Sequence, residues 1–175
     1  MPSTDVDAVL DGLNARIDGI QSWMNAQPQG IMNRVVGAAL ALPTSTVIAV
    51  AMWLTPSEKG YGTHLQLGLG ECISMALTGW PCPMCGMTTT FTHMAHGNLV
   101  QAFFTQPFGV VLFSVTVLVA LLGWIDVVFA PGLYKRALGW ISRREQVIAA
   151  GLLVGLLGGW IYKAVVMHPG TFGLG

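Results

Sequence analysis

Three apolar stretches, each close to the roughly 20 residues that a helix needs to cross the hydrocarbon of a bilayer, leave this chain few folds to choose from. They run from about Val35 to Leu54, from about Phe108 to Phe129 and from about Val147 to Met167. In lipid every backbone polar group must be satisfied within the spanning segment, so the stretches are read as three transmembrane helices. Composition agrees, since 53% of the 175 residues are hydrophobic and only 9% are charged, where a soluble chain carries about a quarter. The expected fold class is an all-α integral membrane protein, with membrane lipid as its first partner. A formal net charge of zero supplies no basic face, which argues against nucleic acid.

The spans divide the chain into residues 1–30, an amphipathic helix with a hinge, and residues 31–175, a three-span membrane domain with one long connecting segment, 55–107. Lys and Arg near span ends hold loops on the cytoplasmic side. Arg16 and Arg34 precede the first span, and Lys135, Arg136, Arg143 and Arg144 lie between the second and third, whereas the 55–107 segment holds only Lys59. The expected topology is therefore multi-pass in a bacterial inner membrane, N-terminus cytoplasmic, long segment and C-terminus extracytoplasmic. Lys163 dissents and is expected to snorkel to the outer interface. Trp53 and Trp160 fall at the outer ends, and Trp124 and Trp140 near the inner boundary, as interfacial anchors do. Asp5, Asp7 and Asp11 stand where a cleavable signal would be basic, so the first span itself is expected to target the chain. Within that span Pro43 frees a backbone carbonyl that Thr44, Ser45 and Thr46 are placed to satisfy, with a kink expected there.

Before the first span, Val6, Val9, Leu10, Leu13, Ile17, Ile20 and Met24 recur at three- and four-residue steps, with Ser3 or Thr4 available as an N-cap. The opposite side holds Asp5, Asp7, Asp11 and Asp18 against Arg16 alone. Helices that lie on anionic lipid carry Lys and Arg there, so this stripe is read as a partner-docking surface, ahead of a lipid surface or a fold back onto the chain's own spans. Gly151, Gly155, Gly158 and Gly159 give the third span a helix-packing face, toward this chain or another subunit. Asp126, near the inner end of the second span, is read as one half of an intramembrane ion pair with Arg136, ahead of a proton relay.

The long segment holds the chemistry. Leu65 to Thr78 is apolar but too short to span and reads as an interfacial or re-entrant helix. Cys82-Pro83-Met84-Cys85-Gly86 then reads as a helix start, Cys82 near the N-cap and Pro83 at the first helical position. Helical residues continue to Ala95, Gly97 or Asn98 ends them, and Asn98 to Thr105 forms a further short helix. A Cys-x-x-Cys pair can close a disulfide, share a metal or exchange thiols. The extracytoplasmic side permits a disulfide, and the strand-helix setting of a thioredoxin-type site is missing, which favours a structural pair. Cys72 is a third thiol that could resolve or replace either partner. Cys82, Cys85, His93 and His96 have the ligand types for zinc. On one continuous helix Cys85 and His96 would stand roughly 16 Å apart, so zinc needs a chain reversal between them and no cofactor is the leading expectation. The absence of Cys-x-x-Cys-His excludes covalent c-type haem.

The run from Pro81 to Thr88, followed by His96-Gly97 and Gln106-Pro107, resembles a family of small bacterial multi-span membrane proteins of unknown function marked by Cys-Pro-x-Cys-Gly-x-Thr-Arg, His-Gly and Asn-Pro. The resemblance covers about Trp80 to Phe113 and implies a compact membrane protein without a known activity, cofactor or substrate. Thr89 stands in place of the Arg and Gln106 in place of the Asn, so a function resting on that Arg is not expected here. With a docking-type helix and no complete catalytic constellation, the leading expectation is a non-catalytic accessory or assembly subunit of a larger inner-membrane complex. The alternative is a thiol or zinc protein built on Cys82 and Cys85, and an oligomeric transporter or channel component comes third.

Overall fold

The computed structural model describes residues 3–26 and 28–168, with side chains described for 8–22 and 28–168. Among them the chain is all-α. Helix α1 (Ser3–Ala26) is followed by α2 (Gln29–Trp53), the short α3 (Ile73–Thr78), α4 (Met87–Ala95) and α5 (Leu99–Thr105), then α6 (Pro107–Phe129), α7 (Leu133–Ser142) and α8 (Glu145–Met167). Helices α2, α6 and α8 are long and apolar enough to cross a membrane. α2 starts some residues before the expected span, and Gln29, Asn33 and Arg34 occupy its first turns. Pro43 lies inside α2 without ending it, and the Thr44 hydroxyl donates to the Leu40 carbonyl at 2.7 Å.

The tightest helix crossing joins α2 to α6 through glycine. A Cβ on Gly37 would stand 2.8 Å from the Gly123 carbonyl, and one on Gly123 would stand 2.8 Å from the Gly37 carbonyl and 2.9 Å from the Ala41 nitrogen. Lipid supplies no hydrophobic drive between helices, so this backbone-to-backbone approach is what holds the pair. Trp124 adds a hydrogen bond from its indole to the Ser45 hydroxyl at 3.0 Å. The glycine face expected on the third span is only half used inside the chain. A Cβ on Gly155 would lie 2.5 Å from the Phe108 ring and one on Gly159 would lie 3.1 Å from the Gln106 amide nitrogen, while Gly151 and Gly158 meet nothing within 4 Å.

At the end of the bundle nearest α1, a strained turn connects α6 to α7. Ala130 has φ 54° and Gly132 φ 71°, with Pro131 between them. Two buried polar side chains stabilise it. Asn33 donates from Nδ2 to the Ala130 carbonyl at 2.8 Å. Asp126, fully buried, accepts from the backbone N–H groups of Leu133 and Tyr134 at 2.8 and 3.0 Å. The ion pair expected between Asp126 and Arg136 is therefore replaced by a helix cap: the first N–H groups of α7 lack intrahelical partners, and a carboxylate one turn away satisfies two of them. Asp126→Ala is expected to cost about 3 kcal/mol, since a hydrogen bond to a charged group contributes about 1.5–3 kcal/mol. Asp126→Asn, which keeps one acceptor oxygen, should lose about half as much. Thermal unfolding midpoints in detergent check both, and an unchanged midpoint for the alanine variant would refute the capping role.

Helix α7 occupies a stretch whose charges predict only a loop. Leu133, Ala137, Leu138 and Ile141 are spaced for one helical face, which was the available signal. Lys135 hydrogen-bonds the Gln29 side chain, and the Arg144 guanidinium sits 5.0 Å above the Trp140 ring. The first of these contacts brings Lys135 to the start of α2.

Candidate functional site

At the other end of the bundle, α8 holds the long 55–107 segment by its backbone. Trp160 donates to the Pro81 carbonyl at 2.8 Å, Tyr162 to that of Phe104 at 2.7 Å, and His168 Nε2 lies 3.0 Å from the Gly79 carbonyl. Lys163 completes the set, donating from Nζ to Gly60 at 2.8 Å and to Thr105 at 3.3 Å. Its side chain is 4% exposed. The snorkelling expected of Lys163 is thus corrected: the ammonium turns inward, where backbone carbonyls replace its water. Gln106, fully buried in its extended link between α5 and α6, adds a bond from Nε2 to the Pro83 carbonyl at 3.3 Å.

The Cys-Pro-Met-Cys-Gly stretch is a tight turn that precedes its helix. Cys85 N donates to Cys82 O at 2.9 Å and Met87 N to Met84 O at 3.1 Å. Gly86 then takes φ 87°, and α4 begins at Met87. Cys82 and Pro83 are therefore not the N-cap and first helical position anticipated from Pro placement. A left-handed Gly86 is incompatible with a helix running through it, which moves the helix start four residues on. The single interfacial helix expected over Leu65 to Thr78 is likewise broken. A 3₁₀ turn spans Thr63–Leu67, Gly68 caps it at φ 74°, and α3 starts only at Ile73.

These pieces enclose a cavity of about 610 Å³ whose wall includes Cys72, Cys82 and Cys85 together with Lys59, His64 and Glu71. All three cysteines stand as free thiols, Cys85 buried and the other two half-buried. The hairpin around α3 decides which of them meet. Ser74 Oγ donates to the Trp80 carbonyl at 3.0 Å, Thr78 Oγ1 to Ser74 O at 2.7 Å, and Gly79 turns the chain at φ 72°. Cys72 and Cys82, at the two ends of this hairpin, share the cavity wall and stand close enough for each thiol to perturb the ionisation of the other. Cys82 is thus apposed to Cys72, where the sequence pattern pairs it with Cys85.

Their electrostatics differ in sign. The Met75 backbone N–H holds the Cys72 thiol below the ordinary range against a weaker opposing effect of burial, and the Cys82 thiol and Ser74 N–H help. Burial pushes Cys82 up, and the neighbouring Cys72 adds to this. Burial pushes Cys85 to about 11, with the negative charge of a Cys82 thiolate the next cause. The anion of the group therefore belongs on Cys72.

The four candidate zinc ligands do not share this wall. His93 and His96 lie outside the wall that holds Cys82 and Cys85, and among the described residues no three His, Cys, Asp or Glu side chains gather closely enough for a metal ion. His96 Nδ1 lies 2.8 Å from the Thr92 carbonyl. Burial lowers the affinity of His93 for a proton, and the neighbouring His96 lowers it further. Thr89, standing where the resembled family has Arg, shares a buried hydroxyl hydrogen bond of 2.8 Å with Thr63, and Thr63 Oγ1 also accepts from Ser57 N. That part of the wall is neutral.

The expected helix before the first span forms. Every described side chain from Ala8 to Ser22 is exposed, including Val9, Leu10, Leu13, Ile17 and Ile20. The side chains of Val6 and Met24 lie outside the described residues.

A family model described as "Protein of unknown function (DUF2752)" matches residues 72–120. The match begins at Cys72 and so takes in all three cysteines, the turn, α4, α5 and the first part of α6. It covers well under half of the chain. No curated protein and no solved structure matches. The buried Asn33 carries no signal in the sequence, whereas Cys72 stands out as a third thiol, Lys163 as a charge at the outer end of a span and Gln106 in place of the resembled family's Asn.

Proposed function

We propose that this chain is a non-catalytic accessory or assembly subunit of a larger complex in a bacterial inner membrane, docking through α1. One observation carries the reading: a 24-residue helix presents an apolar stripe of Val9, Leu10, Leu13, Ile17 and Ile20 that no described part of the chain covers. Covering such side chains stabilises by roughly 1.5–3 kcal/mol each, a drive toward association. The acidic face, with Asp11 and Asp18 against Arg16, disfavours an anionic lipid surface and fits a partner protein that offers an apolar groove edged by Lys or Arg. The basic residues around α7 and the start of α2 support a cytoplasmic position for that end, and so an extracytoplasmic position for the thiol cavity.

Replacing Leu13 and Ile17 with Asp leaves the three spans untouched and should release the protein from its assembly. In mild detergent the unaltered protein is expected to migrate with fixed partners at constant stoichiometry, and the double variant alone. A solitary, monodisperse unaltered protein would refute the subunit reading. Binding of the unaltered protein's α1 to anionic vesicles, lost in the variant, would assign the stripe to lipid instead.

A further inference from the structure

We propose that Cys72 and Cys82 form a reversible disulfide at the cavity wall and acquire it by exchange with small disulfide compounds on that side of the membrane. The geometry is specific to this pair. Both thiols are half-buried and line the cavity, and the α3 hairpin presents them to each other from opposite ends. Cys85, although only three positions from Cys82, is buried beside Gly86, which itself packs on the Lys163 side chain. The two halves of the hairpin differ in their attachment to α8. Pro81, next to Cys82, is held by Trp160, and Gly79 by His168, so the Cys82 side is tied to α8. Cys72 follows Gly68 and Gly70, on an exposed run between the 3₁₀ turn and α3. A disulfide would therefore fasten this run to α8 through Cys82, and its reduction would release it.

The exchange balances with one external disulfide R–S–S–R. The Cys72 thiolate attacks one sulfur, forming Cys72–S–S–R and expelling RS⁻, which takes a proton. Cys82 then loses its proton to solvent, and its thiolate attacks the Cys72 sulfur, forming the Cys72–Cys82 bond and expelling the second RS⁻, which is protonated in turn. In sum two protein thiols are oxidised by two electrons, and R–S–S–R is reduced to two R–SH. Attack by Cys72 follows from its place on the cavity wall beside the Met75 backbone N–H, which holds its thiol below the ordinary range. The cavity, at about 610 Å³, lies within the roughly 300–1,000 Å³ of small-molecule sites. Lys59 and Glu71 in its wall offer one charge of each sign to a zwitterionic, peptide-like disulfide.

The test uses the full chain in lipid nanodiscs with oxidised glutathione as the probe, followed by alkylation and peptide mapping. The expected product is a Cys72–Cys82 link with Cys85 still reduced, and Cys85→Ser should yield the same link. Cys82→Ser should trap glutathione on Cys72, at a rate about tenfold above that at which Cys72→Ser traps it on Cys82, because the thiolate is the attacking species. Circular dichroism confirms that each variant retains its helices. A Cys82–Cys85 link in the unaltered protein would overturn the proposal. So would a folded protein that forms no link, or trapping in Cys82→Ser no faster than in Cys72→Ser. None of these readouts depends on α1 or on a partner complex.

Discussion

Gly86→Ala is expected to destabilise the protein by about 4 kcal/mol, and Gly97→Ala by only about 1 kcal/mol, although both glycines are left-handed. Their φ values are 87° and 78°, and a side chain in that region costs roughly 1–2 kcal/mol at either position. Space separates them. A Cβ on Gly97 meets nothing within 4 Å, while one on Gly86 would stand 2.8 Å from the Gly60 carbonyl and 3.1 Å from Lys163 Nζ. The first contact is with backbone, so the 60-loop has to move. That movement pulls Gly60 O away from Lys163, whose Nζ is then left with Thr105 O as its remaining partner. Overpacking costs typically 1–3 kcal/mol, and a weakened hydrogen bond to a charged group a further 1.5–3 kcal/mol. Thermal unfolding of both variants in the same detergent makes the comparison, with Gly97→Ala as the control for backbone strain. Equal losses would show that Gly86 is needed for its φ alone and that the Gly60, Gly86 and Lys163 cluster is not close-packed.

The same cluster shows which parts of this protein could be read from the sequence. Membrane spans are legible because a bilayer imposes one length and one composition on each helix, and α2, α6 and α8 fall where the apolar runs predicted. α1 was equally legible from its three- and four-residue periodicity. The 55–107 segment was not, because its shape depends on residues distant in sequence. Lys163 reads as a surface lysine until the carbonyls of Gly60 and Thr105, from two other parts of the chain, are placed around it. Asp126 reads as half of an ion pair because Arg136 is nearby in sequence, yet the unmet N–H groups at the start of α7 are nearer in space. The Cys82 and Cys85 spacing suggests a pair, and the fold brings Cys72 into the same cavity wall. The turn that Gly86 terminates buries Cys85, while the α3 hairpin brings Cys72 to Cys82.

Burial of Cys85 has the largest measurable consequence in this region. With its thiol pushed to about 11, its thiolate fraction at pH 8 is on the order of 10⁻³, whereas an ordinary thiol near 8.5 is roughly one quarter ionised. Alkylation requires the thiolate. Cys85 should therefore react roughly 200-fold more slowly than an unperturbed cysteine, and slower still relative to Cys72, which is shifted the other way. The pH profile separates ionisation in the folded protein from local opening. Reaction through the folded state should keep rising about tenfold per pH unit beyond pH 9, levelling only near the raised value, whereas reaction through an opened state would level near the ordinary thiol value. Stability carries the matching sign. A raised thiol means that the folded state retains a proton the unfolded chain gives up, so the contribution of Cys85 is full below the unfolded value and is lost as pH rises toward about 11. Cys85→Ala removes the thiol and should flatten that alkaline loss. A profile that levels near the ordinary thiol value, or an alkaline loss identical in Cys85→Ala, would show that burial does not hold the Cys85 thiol protonated.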